Sequence, residues 1–156
     1  MQAVKTSTEA QIHLDEPVTS VLRMKGSGVR SISPDSTVYE AIEQMAEKGI
    51  GALVVLHEGR LEGIISERDY ARKVILRGRS SADTPVRDIM SSPVITVSLE
   101  TSVQTCMQLV TDRRVRHLPV VDGGRVVGMV SIGDLVKAVI ADQQQQIAQL
   151  ESYIHS

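Results

Sequence analysis

The sequence predicts an α/β fold of the mixed α+β kind: two β-α-β-β-α repeats packed on each other, followed by an extended C-terminal helix. Three observations carry that expectation. Val29 to Ile75 aligns without a gap on Val94 to Ile140, at a constant offset of 65 residues. Val38/Val103, Leu53/Leu118, Gly63/Gly128, Ser66/Ser131 and Asp69/Asp134 are among the shared positions. Inside each copy, apolar spacing switches between strand-like runs and helical periodicity in the same order. With only 156 residues in the whole chain, each copy is near the lower size limit for independent folding, so the two must bury surface against each other. Function is therefore sought between the halves. The divisions expected are a flexible arm over residues 1–17, a first repeat over 18–81, a second over 82–140 and a helical extension over 141–156.

Val18 to Lys25 suits a short helix, and Pro85 to Met90 is a similar lead-in before the second copy. Arg30 to Ile32 reads as a short strand. Asp35 or Ser36 is placed to cap the next helix. Val38, Ala41, Ile42 and Met45 then share one helical face, as Val103, Cys106, Met107 and Val110 do in the second copy. Gly49 suits a left-handed helix stop; Arg114 stands at the matching place and makes that stop less clear. Ala52 to Leu56 and Leu118 to Val121 are continuous apolar runs, as in buried strands. Glu58-Gly59 and Gly123-Gly124 are hairpin turns, with return strands over Leu61 to Ile65 and Val126 to Val130. Each return strand ends at Ser-x-x-Asp and passes into a helix. The last helix places Val136, Ile140, Gln143, Ile147, Leu150 and Ile154 at alternating spacings of 4 and 3. This is either a short heptad seam with one polar member or a solvated terminal helix.

Composition excludes several classes. A net charge of −2 argues against a general nucleic-acid binder, which needs a basic excess. No apolar run reaches membrane-spanning length, and residues 1–17 carry no apolar signal core. One cysteine, Cys106, makes no internal disulfide, which suits a reducing, cytoplasmic setting; its place on a helix face marks it as core. The four histidines show no metal-ligand spacing. Gly26-Ser27-Gly28 lacks the rest of a dinucleotide fingerprint. No catalytic constellation is present, so no enzyme is expected.

Ser66-Glu67-Arg68-Asp69 and Ser131-Ile132-Gly133-Asp134 sit where a strand becomes a helix. One reading is purely structural: Ser caps the helix and Asp answers its dipole. The other is a ligand site with the same geometry. A helix N-terminus favours an anion, a carboxylate one turn on can accept from a ribose diol, and Arg68 adds a cation for phosphate. The motif then fits an adenosine nucleotide, with Asp on ribose and Ser and Arg on phosphate.

The duplicated pattern, seen in ISPDSTVYEAIEQMAEKGIGALVV, GIISERD and RRVRHLPVVDGGRVVGMVSIGD, resembles the cystathionine-β-synthase (CBS) domain, and the pair resembles a Bateman module of the stand-alone bacterial and plant-organelle type. The resemblance covers Val18 to about Ile140. It implies pseudo-two-fold symmetry, two clefts between the repeats, and an adenine nucleotide as ligand: AMP first, with ADP, ATP or NAD(H) as alternatives. It also implies that Asp69 and Asp134 hold ribose and that Ser66 and Ser131 touch ribose or phosphate. Adenine would be read near Ala52 and His117, between apolar walls at Ile32, Val97 and Pro119. Arg116 and His117 match a basic pair that holds phosphate in such proteins; an interior histidine and a surface cation are the alternatives. Gly51 and Ala52 replace that pair in the first copy, so the clefts differ. The cleft facing Arg116, His117 and Arg68 should prefer phosphate. The other, with Ile132 and Gly133, should bind weakly, take a neutral group or stay empty. A homodimer and an unidentified downstream protein target are implied as partners. The function expected is a regulatory nucleotide sensor; the alternative is a dimeric scaffold with vestigial clefts.

Overall fold

Both repeats build their elements in the order that the spacing predicts. The computed structural model describes residues 13–26 and 28–155. Helix α1 (Thr19–Lys25) precedes β1 (Ser31–Ile32), α2 (Val38–Lys48), β2 (Ala52–His57), β3 (Arg60–Ser66) and α3 (Glu67–Tyr70), which a wider π-helical turn over Ala71–Ile75 continues. A 3-10 turn at Val86–Asp88 then leads to β4 (Val97–Ser98), α4 (Val103–Asp112), β5 (His117–Asp122), β6 (Arg125–Ser131) and α5 (Ile132–His155).

The strands form two three-stranded sheets, ordered β1-β2-β3 and β4-β5-β6. In the first, β1 runs parallel to β2 and β2 antiparallel to β3, with Ala52 opposite Ser66. Glu58 and Gly59 both take positive φ, 51° and 78°, and Gly123 and Gly124 repeat this at 58° and 80°. Two left-handed residues in a row match the twist of a two-residue hairpin.

One local expectation is corrected. Neither Asp35 nor Ser36 caps α2: the Thr37 side chain accepts from Glu40 N, and Ser102 does the same for Thr105 N at the start of α4. A cap must stand immediately before the first helical residue for its oxygen to reach the third amide, and Asp35 and Ser36 lie one or two residues too early. The stop at Arg114 is the less regular one, as expected. Gly49 is itself the left-handed cap of α2, whereas α4 ends at Asp112 with Arg113 in the right-handed region and Arg114 takes φ 54° one residue later, a conformation a side chain tolerates less well than glycine.

Contacts divide the chain into two compact units that do not follow its halves. One joins the described residues up to Gly26 with Val97–Val120 and those from Met129; the other joins Gly28–Thr96 with Val121–Gly128. Each lead-in therefore packs on the body of the other repeat. Val18 N donates to Thr101 O at 2.7 Å, and Val86 N donates to Ser36 O at 2.8 Å, so one contact is made twice. Val18, Val21, Val86 and Ile89 are the buried lead-in side chains. In the second unit Val86 and Ile89 meet Val38, Ala41, Met45, Leu53, Val55 and Ile65. With no Phe or Trp in the chain, these small aliphatic residues supply the core.

Residues 1–12 of the expected arm lie outside the described residues. Its remaining part is tied down: Glu16 O accepts from Val103 N and Leu14 O from Gln104 N, each at 2.9 Å.

Candidate functional site

The two Ser-x-x-Asp corners are built alike. Glu67 N donates to Gly51 O at 3.1 Å, and Ile132 N donates to Arg116 O at 2.8 Å. Each bond holds a helix start against the beginning of the neighbouring strand. Ser66 N donates to Asp69 Oδ2 at 3.0 Å while Asp69 N donates to Ser66 Oγ at 3.2 Å. Ser131 and Asp134 exchange the same pair at 2.8 Å and 3.1 Å. Both motifs are thus reciprocal capping boxes, which leaves open what else each carboxylate does.

There the corners part. Asp69 has donors on both oxygens: Ser66 Oγ on Oδ2 at 2.9 Å, and on Oδ1 Ser91 Oγ at 3.1 Å and the Lys73 ammonium at 3.1 Å. Lys73 also donates to Ile89 O. Asp69 is buried and held from three sides. Among the described residues, Asp134 receives its bonds on Oδ2, from Ser131 N and from Lys25 Nζ, each at 2.8 Å. Lys25 further donates to Met129 O at 2.7 Å, fastening the end of α1 to β6. Burial works to raise the Asp134 pKa, but the Lys25 ammonium and the Ser131 bonds outweigh it and hold the carboxyl below its ordinary value.

Beside Asp134 lies a cavity of about 330 Å³, lined by Val21, Met24, Lys25, Lys137, Ala138 and Ala141 with Asp134 itself. That volume falls at the small end of ligand pockets. Its charged groups are two ammoniums and one carboxylate, with aliphatic side chains as the remaining wall.

Of the other residues singled out in the sequence, Arg116, His117, Pro119, Val97, Ser131, Ile132 and Gly133 fall in the unit that holds Asp134; Ile32, Ala52, Ser66 and Arg68 fall in the unit that holds Asp69. Ala52, Val97 and Pro119 are buried, Ile32 and His117 are half-buried, and Arg68, Arg116, Ile132 and Gly133 are exposed. Cys106 is buried, and burial pushes its thiol pKa up to about 11, so it is chemically quiet.

Sequence reasoning missed Lys25, Lys73, Ser91 and Lys137. Lys73 had a signal, since it stands four residues after Asp69 on the same helical face. Lys25 and Ser91 had none, because exchanged lead-ins bring them from distant parts of the chain.

The CBS domain model matches the chain twice, over residues 12–75 and 86–141. The chain is 44% identical over 146 residues to "CBS domain-containing protein CBSX3, mitochondrial" of Arabidopsis thaliana, covering 88% of this chain and 71% of that one. It is 33% identical to "CBS domain-containing protein YhcV" of Bacillus subtilis, covering 76% and 84%. A solved structure from Burkholderia ambifaria MC40-6, named as a candidate signal-transduction protein with CBS domains, superposes with a TM-score of 0.78 at 49% identity, covering 81% and 96%.

Proposed function

We propose a function from one premise: the chain belongs to the CBS-domain family. It is a regulatory module, not an enzyme, and it senses an adenine nucleotide. The observation that carries this reading is the cavity at Asp134, where a carboxylate suited to ribose hydroxyls stands beside two ammonium groups suited to phosphate. Two cations against one anion favour an anionic ligand over a neutral nucleoside. AMP is the first candidate, with ADP, ATP or NAD(H) next. The Asp134 corner is the one filled first, because the Asp69 carboxylate already has donors on both oxygens; this reverses the expectation that the cleft carrying Ile132 and Gly133 binds weakly, takes a neutral group or stays empty.

The signal follows from Lys25. It is the last residue of α1 and bridges that helix to Asp134. A phosphate that draws the ammonium away, or a ribose that competes for Oδ2, changes what holds α1. Occupancy then shifts the chain between two arrangements of its lead-in, which a downstream protein can read. We place the protein in the cytoplasm and read it as a homodimer; since one relative is mitochondrial, fractionation of the source cell decides the compartment.

Calorimetric titration with AMP, ATP, NADH and adenosine tests the reading. Saturable heat with a phosphorylated nucleotide is expected, lost in Asp134→Ala and weakened roughly tenfold in Lys25→Met, the scale of one charge-assisted hydrogen bond. No heat with any of them rejects the sensor and favours the second reading, a dimeric scaffold with vestigial clefts. That reading draws on the exposed apolar stripe of α5.

A further inference from the structure

Helix α5 has two apolar faces, and the described residues cover only one. Leu135 and Ala138 are buried. The other face is Val136, Ile140, Gln143, Ile147, Leu150 and Ile154. At roughly 100° per residue these six fall within an arc of about 80°. Its five apolar members are 42%, 48%, 54%, 63% and 73% exposed, in chain order. Exposure therefore rises steadily along the helix.

We propose that this stripe is covered by the same stripe of a second copy, with the two helices antiparallel. The spacing 4, 3, 4, 3, 4 reads the same in either direction, so the stripe fits its own reversal without a gap. Val136 then meets Ile154 of the second copy, Ile140 meets Leu150, and Gln143 meets Ile147, each pair occurring twice about the two-fold axis. The exposure gradient runs the right way for this pairing. Each strongly exposed C-terminal residue lies on a residue near the body-anchored start of the other helix. A parallel pair would leave the most exposed ends to support only each other.

Charge points in the same direction. Lys137 and Glu151 each follow a seam residue by one position. In the antiparallel register Lys137 of one copy flanks Glu151 of the other, giving two opposite-charge pairs. In a parallel pair the corresponding flanks bring Gln146 to Glu151 and Val139 to Gln144, with no such pair. Gln143 and its mate occupy adjacent layers at the axis, close enough for their amides to bond each other. The pairing stands independently of the nucleotide reading.

Light scattering coupled to size exclusion is the first test. The full chain should have the mass of a dimer at micromolar concentration, and the Ile147→Glu, Leu150→Glu variant should be a monomer with an unchanged circular dichroism spectrum. Both side chains are exposed, so the fold does not depend on them. A monomeric wild type overturns the proposal. So does a variant that stays dimeric, which would place the interface elsewhere, for example at exposed Tyr39, Ile75 and Leu76. Orientation is read by oxidising Val136→Cys and Ile154→Cys proteins, alone and mixed. Disulfide only in the mixture is the antiparallel result; efficient self-linking of either variant alone indicates the parallel pair and overturns the register. Cys106, buried and with its thiol pKa near 11, stays out of the reaction.

Discussion

Asp69 and Asp134 occupy the same place in two copies of one motif, yet they have become different objects. Both complete a capping box, and both sit where a strand turns into a helix. Asp69 is then enclosed by Ser66, Ser91 and Lys73, with 12% of its side chain exposed. Asp134 meets one lysine, Lys25, both lining a cavity, with 19% of its side chain exposed. The difference lies in Lys73, whose counterpart is Ala138, and in what the exchanged lead-in brings. Before the second repeat it brings Ser91, whose backbone pairs with Ile64 in both directions and whose hydroxyl closes on Asp69. Before the first it brings Lys25, a long side chain whose ammonium bonds Met129 O on the equivalent strand and Asp134. A short donor closes directly on its carboxylate, and a long one leaves a cavity beside its own.

Removing the two carboxylates should separate structure from binding. Asp69→Ala deletes a buried acid from a satisfied network and strands its donors, a loss of about 2–4 kcal/mol. Asp134→Ala loses chiefly a cap, about 1 kcal/mol. Urea unfolding should show the larger shift for Asp69, and nucleotide titration the larger loss for Asp134. Equal stabilities would erase the distinction.

Gly63→Ala attacks the sealed corner from beneath. An added Cβ would stand 2.7 Å from Met90 Sδ and 2.9 Å from Ser91 O. The sulfur can move, but the carbonyl belongs to the lead-in pairing, so a cost of about 1–3 kcal/mol is expected. Thermal melting measures it. A wild-type melting temperature would show that the Ser91 pairing is loose.

The helix stops offer a smaller contrast of the opposite sign. Arg114→Gly relieves a left-handed side-chain residue and should stabilise by about 0.5–1 kcal/mol, while Gly49→Ala should destabilise by about as much. The two midpoint shifts in urea should therefore point in opposite directions.

The smallest effect expected is a pH dependence at His13. The Asp142 carboxylate, 2.9 Å from Nδ1, raises the His13 pKa. A raised folded pKa means that the contribution is complete below the unfolded value, about 6.5, and is lost as pH rises through the higher folded value. Amide exchange at Val103 and Gln104, whose N–H groups bond the segment after His13, should accelerate across that window beyond the intrinsic rate. His13→Gln should remove the added acceleration.

What could be read from the sequence was what is local. The faces of α2 and α4, both hairpin turns and both capping boxes depend on residues within a few positions of each other, and each followed from spacing. The cap at Thr37 was missed by a shift of one or two residues, because Ser, Asp and Thr crowd the same stretch and differ only in register. The less regular stop at Arg114 was legible, because only glycine adopts the left-handed turn without a side-chain penalty. Lys25 and Ser91 could not be found by spacing at all. Each lead-in adjoins its own repeat along the chain, and nothing local says that it packs on the other.

That crossing over has a consequence for any attempt to divide the protein. A fragment cut at the repeat boundary, near residue 81, would leave Val38, Ala41 and Met45 without Val86 and Ile89, which complete their core. A fragment carried on to Thr96 keeps them, because the second lead-in follows the first repeat directly along the chain.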